Sequence, residues 1–495
     1  MTHSEVDYAD VQGLVRFGYK RLTKASYALV RVRNVNAARA WLRSAPVANA
    51  VEMKPPPAAA LQVAFTSGGL RALGVSESVI AGFSHEFRAG MTQENRARQL
   101  GDVESNAPRN WEWGGSGNEP HLVIMFFAKP DNFDSFVQSA MGEAWSHAFT
   151  EGHRLTTENL DEFEPFGFAD GISQPQIDWA QQREPPRIQY DYTNVVALGE
   201  FLLGYPNEYG KITDRPLLDP DAANAELLPA ADAPEKKDLG RNGTYLVMRQ
   251  LEQDVRTFWQ FIYRQAGGRE AEAQKLAAAI VGRTQEGDPL VPIQEQPIPG
   301  IDVRKNQFTF DRDPAGACCP FGAHVRRANP RNTDLPGRPA NLLHKLLTML
   351  GFGLNGFRDD LMSSVRFHRI LRRGREYGPE LKPKNALAPA PSDDPKRGLH
   401  FICLNANIAR QFEFLQNAWV ASTKFSGLTG ESDPLLGNRR GIPGCPVTGN
   451  FTLQRDGGLR RRVTGLPQFV TVRGGAYFFL PSLRTLRYFS GTGDA

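Results

Sequence analysis

The chain is poor in cysteine: among its 495 residues only Cys318, Cys319, Cys403 and Cys445 carry thiols, and no CxxC spacing occurs. A disulfide framework is therefore excluded as the main source of stability, and buried thiols are expected instead. Zinc at Cys319-x4-His324 would need two further ligands in suitable places. Long hydrophobic runs are also missing. The longest, Leu122 to Ala128, is far short of the roughly 20 apolar residues that cross a bilayer, so no membrane partner is expected. The opening, Met1 to Asp7, has no basic segment followed by an apolar one and no twin-arginine pattern, which predicts a cytoplasmic chain. Net charge is only +4, too mild to call for nucleic acid, and the one dense cluster, Arg460-Arg461-Arg462, reads as a solvated surface turn. With 41% hydrophobic and 23% charged residues, wholesale disorder is excluded as well.

What is present is a repeated strand-helix unit. Ala25 to Asn34 ends in alternation and Asn36 to Ser44 takes helical spacing; Leu61 to Thr66 precedes a short helix at Leu70 to Leu73; His121 to Ala128 precedes the helical Phe133 to Gln138. The unit returns at Thr244 to Leu251, followed by a helix through Phe258, Phe261 and Ile262, and at Leu399 to Leu404, followed by Ile408 to Leu415. Between the two sets lies Leu218 to Gly240, rich in Pro, Ala and Asp, which reads as a connection between domains. The length also favours two domains. Two α+β domains of similar plan, each an antiparallel sheet with helices on one face, are the simplest account; periodicity alone leaves a parallel α/β sheet open. Ala386 to Lys396 reads as an exposed loop. Gly351-Phe352-Gly353-Leu354-Asn355-Gly356 has the glycine spacing of a dinucleotide loop, but it follows the helical Leu342 to Leu350 rather than a strand, so a helix cap and loop are expected there.

Three stretches carry chemistry. The first is Cys318-Cys319-Pro320-Phe321-Gly322-Ala323-His324-Val325-Arg326-Arg327-Ala328-Asn329-Pro330-Arg331, a histidine among small and apolar residues with a basic collar. A neutral imidazole with cations nearby suits an iron centre whose macrocycle carries carboxylates. The second is Phe166-Gly167-Phe168-Ala169-Asp170-Gly171-Ile172-Ser173-Gln174-Pro175, a tight loop presenting one carboxylate. Its aromatic surroundings, Phe163, Phe166 and Phe168, are expected to raise the Asp170 pKa toward working pH. The third is a basic run in which Arg366, His368, Arg369, Arg372 and Arg373 fall within eight positions. Cleaving a peroxide bond needs a group that moves a proton from the near to the far oxygen and a cation for the departing charge; Asp170 and Arg372 fit those roles.

Together these motifs resemble the dye-decolourising haem peroxidases, larger bacterial type: Gly167-Phe168-Ala169-Asp170-Gly171 matches the GxxDG motif, and residues 320–327 and the Arg372-Arg373-Gly374 to Tyr377-Gly378 segment match in order. Phe469 to Ser482 resembles the family's closing strand and Asp10 to Leu14 its opening. The resemblance implies two ferredoxin-like domains of the dimeric α/β-barrel kind, residues 1–225 with the GxxDG loop and 226–495 with haem b. It implies His324 as the iron's proximal ligand, Asp170 and Arg372 as the distal pair, and Arg331 as partner of a haem propionate. Leu399 and Phe401, two apart on a strand, would line the distal pocket, and Asp433 would accept from the other imidazole nitrogen. Hydrogen peroxide and bulky aromatic reductants, anthraquinone dyes and phenols, would be the substrates of a monomer or homodimer, with Trp419 and Tyr377 as surface relays. The alternative is a haem-binding or iron-release protein with little turnover. The chain departs from the family at Arg375-Glu376, where an apolar residue and proline are common before Tyr-Gly.

Overall fold

The computed structural model describes residues 5–182, 192–333, 364–441, 447–455 and 457–491; the Gly351 to Gly356 pattern, the Leu342 to Leu350 segment and Cys445 lie outside them. Lys24–Val32 (β1), Ala59–Phe65 (β2), Leu122–Ala128 (β3) and Phe149–Thr156 (β4) pair antiparallel in the order β2-β3-β1-β4. Val35–Ser44 (α1) connects β1 to β2, and Pro130–Met141 (α2) lies between β3 and β4. A second set repeats the plan. Thr244–Gln253 (β5) leads to Val255–Gln265 (α3), then come the short Leu371–Arg372 (β6) and Arg375–Tyr377 (β7), Gly398–Asn405 (β8) and Val470–Leu480 (β9). Here β8 carries β6 and β7 on one edge and β5 on the other, and β5 pairs with β9. A single pairing, Phe479 with Phe65, joins the sets into one nine-stranded sheet. Every pair in it is antiparallel, so the parallel alternative falls and each set shows the β-α-β-β-α-β order of a ferredoxin-like fold.

Local chemistry explains the elements. Asn34 caps α1 by accepting from Ala37 N at 3.0 Å, and Ala38, Trp41 and Leu42 form its buried stripe. Asp254 caps α3 in the same way, and Val255, Phe258, Trp259 and Ile262 are buried. Alternation then divides the core, because successive strand residues face opposite sides. Ala28, Val30, Val247 and Cys403 pack on the side of the helices, whereas Tyr27, Leu29, Leu246, Met248 and Leu404 pack on the other. Both faces being covered explains why β3 reads as an unbroken apolar run, buried throughout.

Leu218 to Gly240 does run between the two sets, as a packed strap: Leu227, Ala230 and Leu239 are buried, and Arg215 Nε pairs with Asp238 at 2.7 Å. Two expectations change. Arg461 and Arg462 lie on Arg461–Thr464, a strand paired with Asn450–Leu453, where they donate to the carbonyls of Gln265 and Thr429. After β8 the chain winds as π-helix over Ala409–Glu413 and Leu415–Ala421, wider than the α-helix expected there. Among the described residues no helix is long and apolar enough to cross a membrane.

Candidate active site

The second half-sheet supplies the floor of a cavity. Leu399 lies opposite Leu251, which lies opposite Val472, and directly paired residues face the same side. These three, with Phe401 and Val470, line an opening whose empty space is about 1890 Å³ with its mouth included. His324 lines it too, at the start of His324–Ala328 (α4). His324 Nδ1 and Asp433 Oδ2 are 2.9 Å apart, which leaves Nε2 as the ring nitrogen not committed to this bond. Asp433 is fully buried and its Oδ1 accepts from the N–H groups of Leu435 and Leu436, both at 2.9 Å. Burial alone would raise the Asp433 carboxyl; His324, Arg327 and the Leu436 N–H outweigh it and hold it below the usual range. Arg327, itself buried, ties α4 to the π-helical segment through the carbonyls of Trp419 at 2.7 Å and Ser422 at 2.9 Å.

The Asp170 loop forms another wall. Asp170 N donates to Glu162 O at 2.8 Å, and Gly167 and Gly171 take φ values of +88° and +75°, conformations that glycine adopts without strain. Arg372 Nη1 donates to Asp170 Oδ1 at 2.9 Å, and the Arg372 backbone is fixed from both sides by the Gln174 amide. Asp170 does not have the raised pKa expected from its aromatic neighbours. Burial pushes its carboxyl up, but the Arg372 guanidinium, the Gly171 N–H and Lys20 together bring it below the ordinary value. Phe166 and Phe168 are buried, Phe163 is exposed. The raised carboxyl of this loop is Glu164, about 7, driven first by burial. Their remaining exposure, 34% for the Asp170 side chain and 32% for Arg372, is consistent with their place in the cavity wall.

A group of cations completes the wall. Arg283 and Arg369 line the cavity beside Arg372. Arg369 donates to Tyr192 Oη at 2.8 Å and Asn194 Oδ1 at 2.7 Å. Arg331 does not line the cavity; it is buried one layer behind, donating to Phe308 O at 2.7 Å, with its guanidinium carbon 3.7 Å from the Phe308 ring centre. Burial, then repulsion from Arg331 and Arg372, lowers Arg283 to about 9, and burial lowers Arg331 to about 10. Cations that depress one another in this way call for an anion, and a flat apolar floor beside them fits a macrocycle bearing carboxylates. Elsewhere in the wall Arg249 is ion-paired with Asp102. Among the described residues no three His, Cys, Asp or Glu side chains gather as a metal cage.

His324, Asp170, Arg372, Leu399 and Phe401 are thus brought to one cavity, with Asp433 directly behind His324. Sequence reasoning missed Glu164, Arg283 and Arg369. Arg369 was within the basic run and could have been found there; Arg283 lies in no local pattern.

No family model matches the chain. A dye-decolorizing peroxidase from Mycetinis scorodonius is 31% identical over 450 residues, covering 87% of this chain and 76% of the relative. A multifunctional dye peroxidase from Amycolatopsis is 30% identical over 352 residues, 68% of this chain and 63% of its own length. The fungal DyP-type peroxidase of Auricularia auricula-judae superposes with a TM-score of 0.72 at 25% identity, covering 99% of this chain and 100% of that one. A dye-decolorizing peroxidase whose heme pocket was engineered for asymmetric sulfoxidation superposes at 0.71, again at 25% identity, over 98% and 100%. Similarity of this extent, over a fold and cavity of the kind just described, establishes that the chain belongs to the dye-decolourising peroxidases, enzymes that use haem to reduce hydrogen peroxide.

Proposed function

We propose that His324 is the protein ligand of a haem b, and that Asp170 and Arg372 act on hydrogen peroxide while bulky aromatic reductants, anthraquinone dyes and phenols, supply electrons. The observation that carries this reading is that His324, backed by Asp433, and the Asp170–Arg372 pair line one cavity with an apolar floor. Bound haem supplies a redox-active iron that accepts oxidising equivalents from peroxide and passes them to reductants one electron at a time. Asp170, held ionised by Arg372, takes the proton from the near peroxide oxygen and delivers it to the far one. Arg372 Nη groups stabilise the negative charge that develops as the bond breaks. Asp433 accepts from His324 Nδ1, fixing the tautomer and making Nε2 the better donor. Arg283 and Arg369 meet the carboxylates of the macrocycle, with Arg331 supporting them from behind. Leu399 and Phe401, bulky apolar groups in the cavity wall, would limit access to a bound haem to a molecule as small as peroxide.

Bulky reductants are oxidised away from the cavity, with Trp419 and Tyr377 as relays. Trp419 is half-buried and packs edge-on to His368, which lines the cavity, at 5.2 Å; Tyr377 is buried rather than at the surface and stacks on His400 at 4.5 Å, which makes Trp419 the better placed of the two. On this reading the chain is divided into domains 1–225, with the GxxDG loop, and 226–495, which would hold the haem. The test is the visible spectrum of haem-loaded wild type, His324→Ala and Asp170→Asn, followed by peroxide. Wild type should show a Soret band that peroxide shifts, His324→Ala an altered or absent band, and Asp170→Asn a normal band whose response is slower by about 10²- to 10⁴-fold. A pyridine haemochrome spectrum identifies the haem type. A Soret band that ignores peroxide in wild type would overturn the reading.

A further inference from the structure

The GxxDG loop contains a second carboxylate that the chemistry above does not use. Glu164 Oε2 accepts from Phe166 N at 3.0 Å and from Gln253 Nε2 at 2.7 Å, and Oε1 accepts from Phe168 N at 3.1 Å. Its own backbone closes the same turn, Glu164 N donating to Phe168 O at 2.9 Å and its carbonyl accepting from Gly167 N at 2.7 Å. Residues 162–170 are thereby folded around one side chain, and Gln253 links it to β5 beneath the cavity. We infer that Glu164 is a positioning residue for Asp170: its carboxylate fastens the loop that presents Asp170 to the cavity floor. This rests on the reading of Asp170 as the proton carrier.

The bonding pattern makes the charge state matter. All three partners are donors as placed, so the anion satisfies every one, whereas a protonated acid would bond Gln253 only if that amide turned to offer its unpartnered Oε1. Against the anion stand burial and the like charge of Asp170. Among the described residues, the groups packed around Glu164 offer no compensating cation of their own. From β5 comes neutral Gln253, from α3 Trp259, which donates to Phe166 O, and from the loop beyond the helices Gln285, which donates to Gly167 O. Arg372 is engaged by Asp170. These opposing influences leave the carboxyl at about 7, so the loop exchanges near neutrality between a hold of three bonds and a weaker one.

The test uses haem-loaded wild type, Glu164→Gln, Gln253→Met and Asp170→Asn, with the peroxide-induced Soret change timed from pH 5 to 9. Wild type is expected to react faster as pH rises through an inflection near 7, and Glu164→Gln to lose that inflection while keeping its Soret band. Gln253→Met removes one donor to the anion and is expected to move the inflection upward in pH. The thermal midpoint of Glu164→Gln relative to wild type should increase from pH 5 to 8, since the substitution abolishes a buried charge. An inflection retained unchanged in Glu164→Gln, or unmoved in Gln253→Met if the first variant fails to hold haem, overturns the inference. An Asp170→Asn protein as fast as wild type would instead overturn the role of Asp170 itself.

Discussion

At the scale of single residues, the site is built from buried charges held by specific partners, and their loss should be felt through those partners. Asp433 shows this best. It is fully buried, lies behind the cavity lining rather than in it, and spends one oxygen on two backbone N–H groups and the other on His324. Replacing it with Asn keeps the shape but removes the charge that orients the imidazole. The expected outcome is a 10- to 100-fold loss of haem affinity or peroxide reactivity, read by haem titration and by the Soret response. An unchanged affinity and response would make Asp433 a mere turn residue, since its Oδ1 bonds survive in the amide. Asp433 was legible from the family resemblance, and so were Asp170, Arg372 and His324. The net pKa direction of Asp170 was not, because aromatic neighbours are visible in sequence while the guanidinium that outweighs them arrives from 202 positions away.

Elements were legible where periodicity is strong. β1, β2, β3, β5 and β8 all fall where alternation or apolar runs placed them, because a strand buried on one or both faces must show it in composition. The π-helical winding after β8 was not legible, since a helical spacing does not distinguish the two widths over a dozen residues. Neither was the packing of the 218–240 strap, whose Pro, Ala and Asp content resembles that of a solvated linker. The GxxDG loop is the element on which function turns, and Gly167 carries its conformation. At φ +88° an added Cβ would lie 3.2 Å from Gln285 Nε2, so Gly167→Ala meets both backbone strain and crowding. The expected loss is about 1–2 kcal/mol of stability with a slowed peroxide step. Gly465→Ala is the control: its φ is +70° but nothing lies within 4 Å, so stability should fall by a similar amount with the peroxide reaction unaffected. Equal peroxide rates in both variants would show that the turn does not set the position of Asp170.

For the molecule as a whole, the buried ionisable groups decide how stability follows pH. Glu164 and Glu200 are both raised from 4.5 to about 7, with burial the largest cause in each. Glu200 keeps Arg410 at 2.7 Å and the Glu208 N–H at 3.0 Å, yet these do not offset the desolvation. A carboxyl whose pKa is higher folded than unfolded binds its proton more tightly in the native state. Its stabilising contribution is therefore complete below about 4.5 and is lost as pH rises through 7. A shift of this size corresponds to at most roughly 3 kcal/mol per group. His400 acts the other way: burial lowers it to about 4, so stability falls as pH drops below the ordinary imidazole value of 6.5. Among the Glu, Asp and His groups shifted furthest, the two Glu carboxyls gain on acidification where His400 loses, and the carboxyls of Asp102, Glu119, Asp238 and Glu376, also raised by burial, act with the gain while His121 acts with the loss, so the thermal midpoint of the haem-loaded protein should rise from pH 8 to pH 5. Below that the Glu gains end, while His400 goes on losing and the depressed carboxyls Asp170 and Asp433 begin to lose their native advantage. Calorimetry from pH 4 to 8 should therefore give a maximum on the acid side of neutrality. A maximum at pH 7 or above would mean that Glu164 and Glu200 are better compensated than their surroundings indicate, and with it the inflection expected of the peroxide reaction near pH 7 would lose its physical cause.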